Sequence, residues 1–335
     1  MRQVIVKAPG GLDNLTLVEA EAPKAPGPGE IRVRIRASSL NFHDYRVCAL
    51  PEALADGRIP LADGAGVVEA VGEGVEEFGV GDHVVSCFFP DWQAGDERPV
   101  DFSTTPGDGR DGFAREEVTL PATWFTHAPK GWSHEEAATI TTAGLTAWRA
   151  LVVDGGLKAG DTVAVLGTGG VSIYALQLAR AMGARVIATS SSDAKLERMR
   201  EMGAEAGINY RTTPEWGAEI RRLTGGRGVD LVVEVGGPGT LPQSIVAGRP
   251  GAHLALIGVL TGRGGEIPTA LLMARQQRLQ GLIVGSRTHQ QDFVRALEAM
   301  ALRPVLDRSF GLEALAEAFR YEESGAHFGK ICVTI

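Results

Sequence analysis

Apolar and charged residues alternate in the N-terminal part of the chain, a pattern typical of half-buried β-strands. The clearest case is residues 31–36, Ile-Arg-Val-Arg-Ile-Arg, and short apolar runs between turn residues follow at 64–72 and 83–86. Strands so short and closely spaced predict a small β-barrel or β-sandwich over residues 1–120. Residues 89–110 are rich in Pro, Gly and Asp and lack periodicity, which predicts a long surface loop.

From about residue 132 the pattern changes to apolar runs that alternate with helical periodicity. Runs of strand length lie at residues 162–166, 185–189, 231–235, 253–257 and 282–284. Strands without a polar face are buried on both sides, and their alternation with helices predicts a parallel sheet wound with crossover helices. Beyond this sheet, helices are predicted at 291–300 and 312–321, and a last strand at 330–335.

A glycine turn follows the first of these runs directly. Residues 166–172 read Leu-Gly-Thr-Gly-Gly-Val-Ser, and the apolar residues after the turn fall on one face of a helix. A G-x-G-x-x-S turn between a strand and a helix indicates a dinucleotide site, because glycines let a pyrophosphate approach the free N–H groups of the helix N-terminus. The residues expected to bind the cofactor here are Gly167, Thr168, Gly169, Gly170 and Val171. Ser172 replaces the usual third glycine, and a methyltransferase remains the main alternative.

The end of the second strand carries hydroxyls instead of an acid. Residues 189–192 read Thr-Ser-Ser-Ser, and Lys195 follows. NAD sites, and most methyltransferase sites, place an acid here to bind ribose hydroxyls. Hydroxyls and a nearby lysine suit a 2′-phosphate, so the sequence favours NADPH over NADH. Asp193 is interpreted as a first-turn acid or cap of the next helix. Alternatively, the serines cap a helix and Lys195 is merely solvated.

Composition excludes several classes of protein. The chain has 335 residues, which predicts about two domains. Its formal net charge of −8 gives no sign of a basic face, so no nucleic-acid partner is expected. Its three cysteines are far apart and form no disulfide framework or C-x-x-C pair. No run of 18 apolar residues is present, so no membrane span is expected, and the predicted location is cytoplasmic.

Several segments together resemble the medium-chain dehydrogenase/reductase superfamily, and most closely its zinc-free quinone oxidoreductase (zeta-crystallin-like) branch. The segments that carry this resemblance are residues 39–44, 63–68, 80–84, 137–148, 158–161, 203–211 and 225–230. The resemblance spans the whole chain and implies an α/β fold. It implies a GroES-like catalytic domain from residues 1–123 and 287–335 around a Rossmann domain at 124–286. It also implies a cleft between the domains and a homodimer formed through the Rossmann sheet edge.

The resemblance also allows the family's zinc positions to be located. The catalytic zinc of alcohol dehydrogenases is held by Cys, His and Cys, and the matching residues are Asn41, Ala62 and Thr142. None of them keeps the zinc-binding side chain, and a catalytic zinc needs about three protein ligands. Residues 87–111, where a structural zinc would need four cysteines, contain one. We therefore expect no metal.

The remaining site residues are implied by the resemblance. It assigns the 2′-phosphate contacts to Ser190 or Ser191, Lys195 and Tyr210, and a nicotinamide contact to Thr146. A buried helix hydroxyl bonded to the backbone is the alternative for Thr146.

The residues that line the cleft in relatives correspond to Asn41, His43, Asp44 and Tyr45. Asn41 is expected to hydrogen-bond a substrate carbonyl, and Tyr45 or His43 to donate a proton. The alternatives are packing or surface exposure for His43 and Tyr45, and a structural contact for Asp44.

These features predict an NADPH-dependent, zinc-free oxidoreductase acting on quinones or α,β-unsaturated carbonyls. Without a Lewis acid, hydride transfer depends on positioning and on hydrogen bonds to the substrate oxygen, which suits conjugate reduction. A zinc-free, NADP-dependent alcohol or aldehyde oxidoreductase and a non-catalytic NADPH-binding protein are the alternatives.

Overall fold

The computed structural model describes residues 1–50, 56–95 and 101–335 of the chain. It divides into two compact units, one formed by Met1–Leu145 with Val284–Ile335 and the other by Thr146–Ile283. Strands and helices are numbered along the chain. Among the described residues, no helix has the length and apolar character needed to cross a membrane. The cytoplasmic location stays a prediction.

The first unit is a β-rich, GroES-like domain. Its strands are β1 (Arg2–Val6), β2 (Leu15–Glu19), β3 (Glu30–Ser39), β4 (Ala65–Val71), β5 (His83–Ser86), β6 (Glu117–Pro121), β7 (Phe125–His127), β14 (Leu306–Gly311) and β15 (Lys330–Thr334). The larger sheet has the order β14-β15-β3-β4-β5-β7, with β6 also paired to β3, while β1 pairs with β2. The alternation predicted at residues 31–36 is present, because Ile31, Val33 and Ile35 are buried in the core.

Helices cover parts of this first unit. They are α1 (Phe42–Ala49), α2 (His134–Ala138), α9 (Arg287–Met300) and α10 (Leu315–Glu323). Helix α9 begins earlier than the predicted residue 291, because the Ser286 hydroxyl accepts a hydrogen bond from the His289 N–H (3.2 Å) and caps the helix.

The second unit is a Rossmann domain, as predicted. Its strands are β8 (Thr162–Leu166), β9 (Arg185–Ser190), β10 (Ala206–Asn209), β11 (Val229–Glu234), β12 (Gly248–Leu256) and β13 (Arg278–Gly281). Its helices are α3 (Leu145–Trp148, which begins at the division), α4 (Gly170–Ala181), α5 (Asp193–Glu201), α6 (Trp216–Leu223), α7 (Leu241–Ala247) and α8 (Thr269–Ala274). All strand pairs in the order β10-β9-β8-β11-β12-β13 are parallel.

The last Rossmann strand differs from the prediction at residues 282–284. Strand β13 is Arg278–Gly281, and its register pairs Arg278 with His253 of β12. It lies at one end of the sheet order, where a strand tolerates polar side chains because one side has no strand neighbour. Val284 has a φ of 47°, which does not continue an extended strand.

The division between the units differs from the sequence-based boundary at residue 123. Strand β7 pairs with β5, and α2 packs on β3, β4, β5 and β15, so residues 124–145 belong with the GroES-like unit. The second division falls at Ile283, slightly before the predicted residue 286.

The predicted surface loop at 89–110 is only partly described, because residues 96–100 lie outside the described part of the chain. In its described parts Phe89 and Trp92 are buried, and the Phe89 ring lies 5.9 Å from that of Phe102. These parts are therefore packed rather than fully exposed.

Candidate functional site

The glycine turn connects β8 to α4 in the Rossmann unit. Gly167 has a φ of 73°, a left-handed conformation that favours glycine. No side chain caps α4 at Gly169, so the free N–H groups of its first turn and its positive dipole end are left for an external anion. The Ser172 hydroxyl donates to the Leu166 carbonyl at 2.6 Å. The hydroxyl of Ser172, which replaces the third glycine, is therefore buried with its hydrogen bond satisfied.

Residues at the carboxyl end of β9 lie beside this turn in the sheet, because β9 pairs with β8. Ser190 is buried, and its hydroxyl accepts a hydrogen bond from the Ser192 N–H at 3.3 Å. Ser191 is partly exposed, and Tyr210 is 43% exposed with its N–H donating to the Ser190 carbonyl. These residues therefore form a hydroxyl-rich rim beside the glycine turn.

Helix α5 begins at this rim. Ser192 caps the helix by accepting a hydrogen bond from the Lys195 N–H, and Lys195 is partly exposed. Asp193 lies in the first turn and accepts a hydrogen bond from Asn209 at 2.9 Å. This agrees with its interpretation as a first-turn acid. Thr168 and Thr146 are both buried within the Rossmann unit.

These Rossmann residues fit a dinucleotide phosphate. The uncapped N-terminus of α4 supplies N–H donors and positive charge, and Gly167 provides the tight approach. Ser191 and Tyr210 reach solvent near the end of β9, where a ribose or its phosphate lies in sites of this fold.

A buried carboxylate, Asp63, is the centre of a second cluster, in the GroES-like unit. Asp63 is fully buried just before β4. It accepts hydrogen bonds from the Ser39 hydroxyl (2.5 Å), the Thr142 hydroxyl (2.6 Å) and the Asn41 amide (2.9 Å). Ser39 ends β3, Asn41 precedes α1, and Thr142 lies in the π-helical turn Ile140–Gly144. Three separate segments thus converge on one carboxylate.

Lys330 supplies a buried positive charge to this cluster. It is the first residue of β15 and is 3% exposed. Its Nζ donates to the Asn41 Oδ1 at 2.6 Å and to the Leu40 carbonyl, and lies 3.7 Å from the Asp63 Oδ2. A buried ammonium is tolerated only when paired and hydrogen-bonded, and both conditions are met.

Asp44 connects the start of α1 to the segment before β4. Its carboxylate accepts hydrogen bonds from the N–H groups of Ala62 (3.0 Å) and Asn41 (3.1 Å). Burial, and then the charge of Asp63, raise its pKa to about 6, against weaker lowering by His43 and these hydrogen bonds. These contacts are those of a structural carboxylate that fixes the backbone around Asn41.

Zinc does not fit this cluster. Of the positions that match zinc ligands, Ala62 has no donor atom, and Asn41 and Thr142 offer a neutral amide and hydroxyl rather than thiolate or imidazole. The Asn41 oxygen is occupied by the Lys330 ammonium, which would also repel a divalent cation. Among the described residues, no group of three or more His, Cys, Asp or Glu side chains is placed to hold a metal.

His43 and Tyr45 point to different surroundings. The His43 Nε2 lies 3.2 Å from the Asp108 carboxylate, and its ring stacks on Phe102 at 5.0 Å. The Tyr45 hydroxyl donates to Glu323 of α10 at 2.6 Å. Of the four predicted cleft residues, the structure therefore brings Asn41 and Asp44 into the Asp63 cluster, while His43 and Tyr45 contact other groups.

The sequence reasoning missed Ser39, Asp63 and Lys330 as site residues, and placed Thr142 only as a lost zinc position. A signal was present, because Asp63 is a single acid in the apolar run Leu-Ala-Asp-Gly-Ala-Gly (61–66). Lys330 likewise begins the apolar strand Lys-Ile-Cys-Val. Two opposite charges at otherwise apolar positions are candidates for a buried pair.

Comparison with known proteins gives consistent matches over both units. The alcohol dehydrogenase GroES-like domain matches residues 27–130, and the zinc-binding dehydrogenase family matches residues 170–301. A Schizosaccharomyces pombe protein described as zinc-type alcohol dehydrogenase-like is 40% identical over 346 residues, covering 100% of this chain and 99% of its own length.

Solved structures show the same similarity. A crystal structure from Sinorhizobium meliloti 1021 has a TM-score of 0.92 at 40% identity, covering 100% of this chain and 99% of its own. The structure of an NAD-dependent alcohol dehydrogenase has a TM-score of 0.89 at 38% identity and covers 100% of both chains. The similarity thus extends over the full length of each protein.

Proposed function

Since this chain belongs to the medium-chain dehydrogenase/reductase superfamily of oxidoreductases, we propose that it is a zinc-independent, NADPH-dependent reductase of quinones or α,β-unsaturated carbonyls. The observation that carries the proposal is the buried Lys330 ammonium, which donates to Asn41, a position that matches a zinc ligand of alcohol dehydrogenases, and lies 3.7 Å from Asp63.

The Rossmann unit supports the cofactor. Gly167, Gly169 and the uncapped start of α4 offer backbone N–H groups to a pyrophosphate. Bound NADPH would supply the hydride. Ser190 ends β9 and Ser191 follows it, where an acid would select NADH. Hydroxyls at this place favour the 2′-phosphate of NADPH.

Cofactor preference is tested by titration calorimetry with NADPH and NADH. We expect wild type to prefer NADPH, and Ser190→Asp to shift the preference toward NADH by repelling the 2′-phosphate. An unchanged ratio of affinities would remove Ser190 from the phosphate site.

The proposed substrate class follows from the side chains around Asp63, which do not suit a metal ion that could polarise a carbonyl. An isolated carbonyl depends strongly on polarisation, whereas conjugate addition of hydride spreads the negative charge over the enone or quinone.

Stopped-flow NADPH oxidation with a panel of quinones and enones tests this class, together with metal analysis of the purified protein. We expect turnover and less than about 0.1 zinc per chain, since about three ligands are needed for a site. No turnover with any panel member would discard the substrate class. Tight NADPH binding without turnover would support the non-catalytic alternative, and stoichiometric zinc would overturn zinc independence.

A zinc-free, NADP-dependent alcohol or aldehyde oxidoreductase is the second candidate. It is favoured by the Thr142–Asp63 hydrogen bond, which leaves an oxygen lone pair of Thr142 able to accept a proton from an alcohol. Alcohol-dependent reduction of NADP⁺ in the absence of activity on the quinone and enone panel would establish it.

We also propose that the protein is a homodimer. Strand β13 ends the Rossmann sheet order and pairs only with β12 among the described strands, which leaves an edge for a second copy. Light scattering coupled to size-exclusion chromatography should give twice the chain mass of 35.4 kDa. A monomeric mass would contradict this assignment.

A further inference from the structure

The Rossmann unit has a cavity at the edge of its sheet where the parallel strands begin. Its lining includes Asp161, just before β8, Arg249 near the start of β12, and Arg278, the first residue of β13. The glycine turn follows the last residue of β8, so the five residues of that strand, about 16 Å, separate the turn from the cavity. The cavity measures about 320 Å³, at the lower end of the range of about 300–1,000 Å³ for small-molecule sites. This space is therefore distinct from the dinucleotide site.

Positive charge exceeds negative charge around this cavity. Its charged lining residues are Lys158, Arg249, Arg278, Asp161 and Asp230. A further cation, Arg227, donates to both carboxylate oxygens of Asp230, at 2.7 and 2.8 Å. With Arg227 included, four cations face two carboxylates, in a chain whose formal net charge is −8. This local excess of positive charge favours an anion.

Each of the three cations that line the cavity keeps a donor group that no described residue occupies. Arg249 donates from Nε to Asp230 and from Nη1 to a backbone carbonyl, which leaves its Nη2. Arg278 donates from Nε to His253 and from Nη2 to a backbone carbonyl, which leaves its Nη1. Lys158 is exposed, and its Nζ has no acceptor among the described residues. Since guanidinium and ammonium groups only donate, all three are suited to oxygen acceptors.

His253 adds a neutral donor to this set. It is 5% exposed, and burial, followed by the charge of Arg278, lowers its pKa to about 4, so the ring is neutral near pH 7. Its Nδ1 accepts from the Arg278 Nε at 2.9 Å and therefore has no hydrogen, which puts the ring proton on Nε2. That Nε2 is shielded from solvent and has no hydrogen-bond partner among the described residues. Because the ring lines the cavity, a molecule bound there can supply the missing acceptor.

We propose that this cavity binds a phosphoryl group, carried by free phosphate or by a small phosphate monoester. Lys158, Arg249 and Arg278 supply charge-assisted hydrogen bonds, and the His253 N–H supplies a fourth donor. A phosphoryl group has about two negative charges and three acceptor oxygens, which match the excess positive charge and the number of donors. A single carboxylate has one charge and two oxygens, and matches both less well. The site is separate from the proposed hydride transfer and does not depend on it.

Titration calorimetry at pH 7 and constant ionic strength tests the site with inorganic phosphate and with glycerol 3-phosphate. We expect a Kd below about 1 mM for at least one of the two. Tighter binding of glycerol 3-phosphate identifies a monoester as the ligand, and equal or tighter binding of inorganic phosphate identifies the free anion. Binding of neither would overturn the proposal.

Lys158→Gln tests the charge of the site, with Arg222→Gln as the matched control. Both residues are exposed and belong to the Rossmann unit, but Arg222 pairs with Glu219 and is not part of the cavity lining. We expect Lys158→Gln to weaken binding about tenfold, the usual worth of one charge-assisted hydrogen bond, and Arg222→Gln to stay within about twofold of wild type. Equal affinities of wild type and Lys158→Gln would contradict the assignment.

Two variants of His253 test the neutral donor. His253→Phe keeps an aromatic ring and loses the N–H, whereas His253→Gln keeps one acceptor for Arg278 and a donor. We expect His253→Phe to weaken binding about tenfold and His253→Gln to restore most of the affinity. Thermal unfolding verifies that both variants are folded, and a folded His253→Phe that binds as wild type does would refute the role of His253.

Ser190→Asp distinguishes the cavity from the dinucleotide site, where a phosphate also fits. It adds a negative charge at the end of β9 and leaves the cavity lining unaltered, so affinity for the phosphoryl ligand should stay within about twofold of wild type. Weaker binding to Ser190→Asp together with unchanged binding to Lys158→Gln would place the anion at the glycine turn and overturn the proposal. Since no NADPH or reducible substrate enters these titrations, their failure leaves the proposed function intact.

Discussion

Two fully buried carboxylates, one in each unit, are stabilised in different ways. In the Rossmann unit, Glu234 accepts hydrogen bonds from the N–H groups of Gly236 (2.7 Å) and Gly237 (3.0 Å) and from the Thr240 hydroxyl (2.5 Å), and Ser244 donates to its other oxygen. All of these donors follow Glu234 closely in the chain. In the GroES-like unit, the donors to Asp63 come from distant segments and include an ammonium.

The difference lies in what balances the charge of each carboxylate. The hydroxyls and N–H groups around Glu234 complete the loop after β11 without any cation. Asp63 needs Lys330 for charge balance, and one of its donors, Thr142, is open to solvent. The stability of the Asp63 cluster therefore depends on one side-chain charge, whereas that of the Glu234 loop does not.

The largest expected effect distinguishes Asp63→Asn from Glu234→Gln. Both amides can keep the hydrogen bonds, because the hydroxyls of Thr142 and Ser244 can reverse and accept from the new NH₂ groups. Only Asp63→Asn leaves a buried ammonium without a counter-charge, so we expect it to lower the free energy of unfolding by about 3 kcal/mol. Glu234→Gln should cost about 1 kcal/mol. Chemical denaturation at pH 7 measures both.

Adding Lys330→Met to Asp63→Asn provides the control for this prediction. The double variant removes both charges and should recover most of the stability that Asp63→Asn loses. Equal losses for Asp63→Asn and Glu234→Gln would show that the two carboxylates do not differ in their dependence on a cation.

A third carboxylate, Glu322 of α10, extends the comparison to an acid without donors. Its Oε2 is shielded from solvent and has no hydrogen-bond partner among the described residues. Burial raises its pKa to about 8, Asp44 adds to the rise, and Lys330 opposes it. The folded protein thus keeps a proton that the unfolded chain has lost, and the free energy of unfolding falls as pH rises from about 4.5 to 8.

Glu322→Gln should remove this part of the pH dependence. Near pH 8 we expect the variant to be more stable than wild type by on the order of 2 kcal/mol, less than full linkage because the side chain is partly exposed. Near pH 4.5 the two should be equal. Glu317→Gln, at an exposed position on the same helix, should follow the wild-type curve. Parallel curves for wild type and Glu322→Gln would contradict the raised pKa.

The glycine-turn site, which binds through backbone N–H groups, could be predicted from the sequence because its parts are contiguous. Leu166 to Ser172 contain the strand end, the turn and the helix start, and each has a local signal in apolar runs and glycines. The parallel sheet was predictable for the same reason. The edge strand β13 was missed because its polar residues gave no apolar run.

The Asp63 cluster, which is formed by side chains, could not be predicted in this way. Its members are Ser39, Asn41, Asp63, Thr142 and Lys330, and they meet only because β15 pairs with β3 and Thr142 approaches Asp63. No short-range pattern encodes that meeting. Family resemblance pointed to Asn41 and Thr142 as lost metal positions, but the lysine that takes up the charge required the tertiary structure.

A smaller effect is expected for a substitution in the glycine turn. Gly167→Ala places a Cβ in open space, so the left-handed φ of 73° is the whole cost, about 1 kcal/mol of unfolding free energy. The altered turn should also weaken NADPH binding. Gly281→Ala also has open space but no left-handed φ, so its stability should change by less than about 0.5 kcal/mol. Equal stabilities for the two variants would indicate that the turn is not strained by an L-residue.

The smallest effect is expected for Tyr45→Phe, which tests one of the proton donors predicted from the sequence. The Tyr45 hydroxyl donates to Glu323, and its ring lies 6.4 Å from that of Phe319, so the side chain is held toward α10. Losing one exposed hydrogen bond should cost about 0.5 kcal/mol. Because the hydroxyl is committed to Glu323, kcat in the NADPH oxidation assay should stay within about twofold of wild type. A tenfold or greater fall in kcat with the fold intact would instead support Tyr45 as the proton donor.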